Sequence, residues 1–285
     1  MIGFLMVSGS VTGFGGYTIY TGIMARTVEQ AAIETAKEQA KDLQPVKQLK
    51  AEAERNKKLF GGPGAKGWKN PIAVGEPNPS TGGTFTVKRR GIRSALNTLN
   101  SLDVRGKAPM TGYSRDKFGQ AWSDAAGDFK GWTKNGCDSR NDALGRDLSD
   151  VTFKAGTHDC KVLRGTWKIE PYTGAHNRLF VSGGSYAQEL DIDHRVPLGW
   201  AWAMGAWKWT DAKRAALAND PANLISVDPS ANRQKGDSGP ASWLPANKQY
   251  RCTYAVTFVK VAAKYDLGIT KADKATSKDV LRRCL

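Results

Sequence analysis

The chain has 285 residues, 40 % of them hydrophobic and 24 % charged. That is enough apolar material for one good-sized core or two small ones, and it excludes a disordered polyelectrolyte. Lysine and arginine (42) outnumber aspartate and glutamate (27), for a formal net charge of +15; this favours a polyanionic partner, namely nucleic acid, an anionic membrane surface or a cell-wall polymer.

Residues 1–25 carry no charged side chain, and Arg26 is the first. The stretch is about as long as a bilayer-spanning helix. Six glycines and several Ser, Thr and Tyr residues dilute it, and it lacks the basic start of a standard export signal. A membrane anchor, an unusual signal segment and a mis-assigned start all remain open; the first two place the chain outside the cytoplasm. Residues 26–60 are rich in Ala, Glu, Lys and Gln and predict a charged helical stalk, interrupted at Pro45. Residues 61–83, "GGPGAKGWKNPIAVGEPNPSTGG", read as a Gly/Pro linker. The globular domain is expected over residues 84–285.

Within that domain, "SALNTLNSL" from Ser94 predicts a helix. "SRDKFGQAWSDA" from Ser114 predicts another, with Phe118, Ala121 and Trp122 at helical spacing. "DVTFKAG" and "CKVLRGTWKI" predict two strands with a turn between them. "YAVTFVKVAAKYDL" from Tyr254 has a helical period. Helices with a few short strands make the fold class α+β. In "WAWAMGAWKW", Trp200 with Trp207 and Trp202 with Trp209 would share helix faces, as core packing and a lid over the neighbouring strands.

The four cysteines, Cys137, Cys160, Cys252 and Cys284, contain no Cys-x-x-Cys pair, which argues against a zinc ribbon. Nearest-neighbour disulfides, Cys137–Cys160 and Cys252–Cys284, close two short loops and would stabilise the fold by about 3 kcal/mol each. They imply an oxidising compartment. A zinc site built from Cys137, His158 and Cys160 is the rival. His158 otherwise reads as a turn residue, and His176 as a loop residue.

"ELDIDHRVPL", Glu189 to Leu198, sets Asp191, Asp193 and His194 into an otherwise apolar strand. An unpaired carboxylate there would cost several kcal/mol if buried. Downstream, "NLISV" predicts a second strand and "DPSANRQKGD" a turn and a helix start. Polar groups at the end of one strand, the start of the next and the start of the helix can meet at one point. A carboxylate, an imidazole and an amide oxygen there would form an oxygen-rich Mg²⁺ site with a base beside it. Adjacent strand residues face opposite sides, so Asp193 and His194 converge only where the strand ends, bends or bulges.

"DIDHRVPL…NLISVDPSANRQKGD" resembles the ββα-metal (HNH, His-Me finger) nuclease motif in its Asp-His…Asn…Asn form. The step from Asn223 to Asn232, followed by Lys and Gly, is similar to the HNH domain of CRISPR-type effectors. "GYSRDKFGQAW", "CDSRNDALGRDL", "VTFKAGTHDC", "NDPANLISVD", "NRQKGD" and "WLPANKQYRC" extend the likeness over most of residues 109–284. They resemble exported actinobacterial HNH nucleases related to the C-terminal domain of type IV modification-dependent restriction enzymes. The resemblance implies a ββα core at about residues 187–245 and a metal-dependent DNA endonuclease with little or no sequence specificity. It implies 5′-phosphate products. The oligomeric state is open, with a monomeric nuclease domain the expectation. His194 would be the general base, Asp193 and Asn232 would hold one divalent ion, and Asn223 would orient the imidazole across the hairpin. Lys235 would sit near a phosphate. Asn stands at 223 and 232 where three-histidine relatives carry His, which favours Mg²⁺, with Mn²⁺ as a substitute, over Zn²⁺. Asp191 and Asp237 are candidate supports of the ligands. Arg195, Arg233 and Arg140 are further candidate phosphate contacts. DNA is the expected substrate, with RNA open. The rival functions are a non-catalytic exported protein for DNA binding or uptake and a wall-associated, toxin-like nuclease.

Overall fold

The computed structural model describes residues 85–183 and 190–285. The anchor or signal, the stalk and the linker expected over residues 1–83 lie outside the described residues. No helix among the described residues is long and apolar enough to cross a membrane.

The domain opens with helix α1 (Arg89–Ser101), a 3-10 turn (Arg115–Phe118) and helix α2 (Ser139–Asp147). Strands β1 (Ser149–Phe153), β2 (Val162–Ile169) and β3 (His176–Val181) follow as an antiparallel sheet in that order. Strand β4 (Asp191–His194) pairs antiparallel with β5 (Leu224–Val227). The connection between them carries α3 (Leu198–Ala203) and α4 (Asp211–Asn219). Helices α5 (Pro229–Lys235), α6 (Arg251–Lys264) and α7 (Lys271–Arg283) complete the chain. The class is α+β, as expected.

Two hydrophobic cores form, and the β4–β5 pair lies between them. Ile225 and Val227 pack into the larger core with Val196, Leu198 and most of α6; Ile192 and Leu224 pack into the smaller one with Trp132, Leu144, Trp167 and Phe180. Helix α6 is apolar around most of its circumference, with Tyr254, Val256, Phe258 and Val261 fully buried, which explains its β-branched composition. Buried polar bonds fix β5 in place. Arg146 pairs with Asp147 and donates to the carbonyls of Pro221 and Leu224, while Asp147 accepts from the Ser226 amide. Both expected disulfides are present, Cys137–Cys160 and Cys252–Cys284, so the sulfurs are not available to zinc.

Three local expectations are corrected. The segment from Ser114 is only a single 3-10 turn, because Gly119 at φ 81° and Trp122 at φ 59° leave the helical region. The tryptophan run is not one helix either. Gly205, at φ 136°, follows the end of α3, so Trp200 and Trp202 are buried on α3 while Trp207 is exposed beyond it. His176 begins β3 rather than lying in a loop.

Candidate active site

Strand β4 runs in regular register with β5, Asp191 opposite Val227 through His194 opposite Leu224. No bulge rotates the chain, so alternate side chains leave on opposite sides. Asp193 and His194 therefore do not meet at one point, and the expected convergence is corrected by the strand's own pleat. They share no side-chain partner and feel each other's charge across the strand.

One side faces α5. Asp228 caps this helix through the Ala231 amide, Pro229 occupies its first turn, and Glu170 accepts from the Asp228 amide. Asn232 and Lys235 stand one turn apart on the face toward β4. Asn232 Nδ2 donates to Asp191 Oδ2 at 3.1 Å. Lys235, 0 % exposed, lies 3.0 Å from Asp193 Oδ1 and 2.9 Å from Oδ2, and donates to the His194 carbonyl at 2.8 Å. The Tyr172 hydroxyl donates to Asp193 Oδ2. Burial lowers the Lys235 pKa, and the Asp193 carboxylate opposes that shift. Burial and the same carboxylate push the Tyr172 hydroxyl well above its ordinary value.

The opposite side holds the imidazole. His194 Nε2 lies 2.9 Å from the Ala218 carbonyl at the end of α4. A carbonyl only accepts, so Nε2 carries the proton and the Nδ1 lone pair is left for other work. Burial pushes the His194 pKa down from 6.5 to about 4, against the opposing pull of Asp193. The ring is therefore neutral at physiological pH. Trp122 stacks parallel to it, 5° between planes and 6.1 Å between centroids. A cavity of about 180 Å³ opens on His194, bounded by Arg115, Phe118, Gly119, Trp122, Leu198 and Asn219 among others. It has room for several waters. Its outer wall is pinned by Arg214, which donates to the carbonyls of Lys117, Ala206 and Trp209, and Gly119 passes close to Ala215.

Asn223 is fully buried and bridges the two strand ends. Its Oδ1 accepts from the Val196 amide at 2.8 Å, and its Nδ2 donates to the carbonyls of Val196 and Leu217, each at 3.2 Å. Leu217 precedes the Ala218 whose carbonyl orients the imidazole. Asp237 Oδ1 accepts from the Gly199 amide at the start of α3, so it caps a helix.

Two expected phosphate contacts are corrected. Lys235 is enclosed beneath Asp193. Arg195 is fully buried, with Nε on the Tyr250 hydroxyl at 3.0 Å and Nη1 on the Ala222 carbonyl at 2.7 Å. Neither presents its cation to a ligand. Arg233 is exposed on α5, and Arg140 is half-buried with its guanidinium 6.0 Å from the Phe180 ring centroid. His158 is an exposed turn residue at φ 50°, two residues before Cys160. Residue reasoning assigned no role to Arg115, Trp122 or Tyr172. The first two lie in the quoted stretch "GYSRDKFGQAW"; for Tyr172 no sequence signal exists, because its partner is 21 positions away.

The family described as "GmrSD restriction endonucleases, C-terminal domain" matches residues 138–276, a range that includes β4, β5 and α5. An "Uncharacterized secreted protein" from Arthroderma benhamiae is 38 % identical over 193 residues, 67 % of this chain and 85 % of that protein. No solved structure matches the chain. The chain therefore belongs to one family with that secreted protein, and its residues 138–276 are similar to the C-terminal domain of GmrSD restriction endonucleases.

Proposed function

We propose that the chain is an exported, metal-dependent endonuclease of the HNH type, hydrolysing DNA phosphodiester bonds with little sequence preference. The observation that carries this reading is the His194 imidazole. It is neutral, its Nε2–H is held by the Ala218 carbonyl, and it borders a water-sized cavity beside the exposed Arg115 cation. That is the arrangement a general base needs. The strand–strand–helix unit around it and the family match support the same reading.

In this reaction a water in the His194 cavity gives its proton to Nδ1 as its oxygen attacks phosphorus in line. The bond to the 3′-oxygen breaks, that oxygen takes a proton from solvent, and the product carries a 5′-phosphate. Arg115 draws the phosphate toward the cavity mouth, and Arg233 meets the backbone beyond. Asn223 keeps the Leu217–Ala218 segment, and so the imidazole, in place.

The donors on the α5 side fit a hard divalent ion. Asp191, Asp193 and Asn232 supply oxygens on one face, and Asp191 Oδ1 and Asn232 Oδ1 have no hydrogen-bond partner among the described residues. Asn232 and the two carboxylates would hold Mg²⁺, or Mn²⁺, with water completing its shell; Zn²⁺ prefers nitrogen and sulfur. When bound, the ion would supply positive charge on the α5 face, across the strand from the His194 cavity. Asp193 meets it with a charge already balanced by Lys235, so Asp191 and Asn232 are the freer donors.

Export is supported by the two disulfides and by the relative described as secreted. The test is cleavage of plasmid DNA and of RNA by the full chain, under oxidising conditions, with Mg²⁺, Mn²⁺, Zn²⁺ or EDTA. Cleavage of DNA with Mg²⁺ and its loss in EDTA are expected. DNA binding without cleavage under every metal condition would replace this reading with that of a DNA-binding protein.

A further inference from the structure

We propose that the depression beyond the residue 120–122 segment is a second subsite of the same nuclease. It takes the backbone phosphates of a DNA single strand leaving the His194 cavity. The inference rests on the nuclease reading for its substrate and on a separate part of the surface for its evidence.

The depression has a volume of about 540 Å³, three times that of the His194 cavity, and the two share Gln120, Ala121 and Trp122 as a common wall. Pockets that hold small-molecule ligands run from about 300 to 1,000 Å³. Arg140 and Lys161 supply its cations. Lys161 is exposed, and neither cation has a carboxylate partner among the described residues. Arg140 is steadied over the Phe180 ring, so little of its freedom remains to be lost on binding. The one carboxylate in the lining, Asp138, is already engaged, because both its oxygens accept from Asn141 at 2.8 Å.

The depression is also rigid. The Cys137–Cys160 disulfide forms part of its wall and joins the loop before α2 to the start of β2. Asn141 Oδ1 accepts from the Val162 amide and ties the same two elements again. Arg115, Trp122, Arg140 and Lys161 thus place an aromatic between cations along two adjoining hollows. That alternation is how single strands are tracked without reading their sequence.

The test uses the full chain in EDTA with a fluorescein-labelled 12-nucleotide DNA single strand, following anisotropy over a range of salt. Arg140→Ala/Lys161→Ala should weaken binding at least ~10-fold. It should reduce the slope of log affinity against log salt by about 1.4, two phosphate contacts at about 0.7 each. Lys161→Glu, a surface change, should weaken binding further than Lys161→Ala. Lys271→Ala/Arg282→Ala removes the same charge from exposed positions on α7 and should leave the slope unchanged. Equal losses in the two double variants, or wild-type affinity in Arg140→Ala/Lys161→Ala, would overturn the subsite. A wild-type chain that binds the strand in this pattern yet never cleaves DNA with Mg²⁺ would overturn the nuclease reading and leave the subsite standing.

Discussion

On the α5 side of β4, Lys235 and Tyr172 enclose the Asp193 carboxylate, and Asn232 reaches Asp191. On the other side, His194 keeps one ring nitrogen for a ligand and faces an open cavity beside an exposed arginine. Four consecutive residues of one strand thus divide into a locked face and a reactive one. The pleat that separates them is a property of any regular strand. The division teaches that an Asp-His dipeptide need not act as one unit: here the acid anchors the helix and the imidazole meets the substrate.

The locked face breaks most expensively. Lys235→Ala would leave Asp193 buried without its cation, which costs about 3–5 kcal/mol. A thermal melt should fall by on the order of 10 °C. An unchanged melt would show that Asp193 does not depend on Lys235.

The reactive face breaks differently. His194→Ala should keep the fold, while cleavage falls about 10²- to 10⁴-fold, the usual worth of a positioned general base. Circular dichroism beside the rate assay separates the two effects.

pH sharpens the contrast. With a pKa of about 4, His194 stays unprotonated down to mildly acid conditions, so the acid limb of the cleavage rate should lie near pH 4 rather than near 6.5. Between pH 6.5 and 4 the unfolded chain protonates this histidine and the folded chain does not. Stability from this group is therefore full above pH 6.5 and is lost on acidification through that window, by about 3 kcal/mol. Asp142, raised to about 7 mainly by burial, acts with the opposite sign and loses stability as pH rises. The difference between wild type and His194→Asn across pH 4 to 7 isolates the histidine. A flat difference would contradict its burial in the neutral form.

The smallest effect expected is at Asp237. Asp237→Ala removes the acceptor for the Gly199 amide and should cost about 1 kcal/mol, read by denaturant unfolding. A large loss of activity without a loss of stability would instead place Asp237 at the reaction.

Much of the fold could be read from sequence. Nearest-neighbour spacing gave both disulfides, two short runs with a turn between them gave β1 and β2, the short apolar run "NLISV" gave β5, and the Asp-Pro step gave the start of α5. The segment from Ser114 could not be read so. Phe118, Ala121 and Trp122 are spaced as on a helix, yet the positive φ of Gly119 and Trp122 is set by packing against Ala215 and His194. That segment forms the wall of the cavity and lies outside residues 138–276, so the family match does not describe it. Within the site, the candidate residues stood out by type, but their directions did not. Lys235 and Arg195 look like phosphate ligands in sequence. They are buried because Asp193, Tyr250 and Ala222 lie where tertiary packing puts them.

The central claim, that the His194 face carries out hydrolysis, is tested most directly by single-turnover cleavage of a labelled DNA duplex with Mg²⁺, comparing wild type with a folded His194→Ala chain. The account predicts cleavage by the wild type and a rate at least ~100-fold lower in the variant. Equal rates in the two proteins would contradict it and move the chemistry to another part of the molecule.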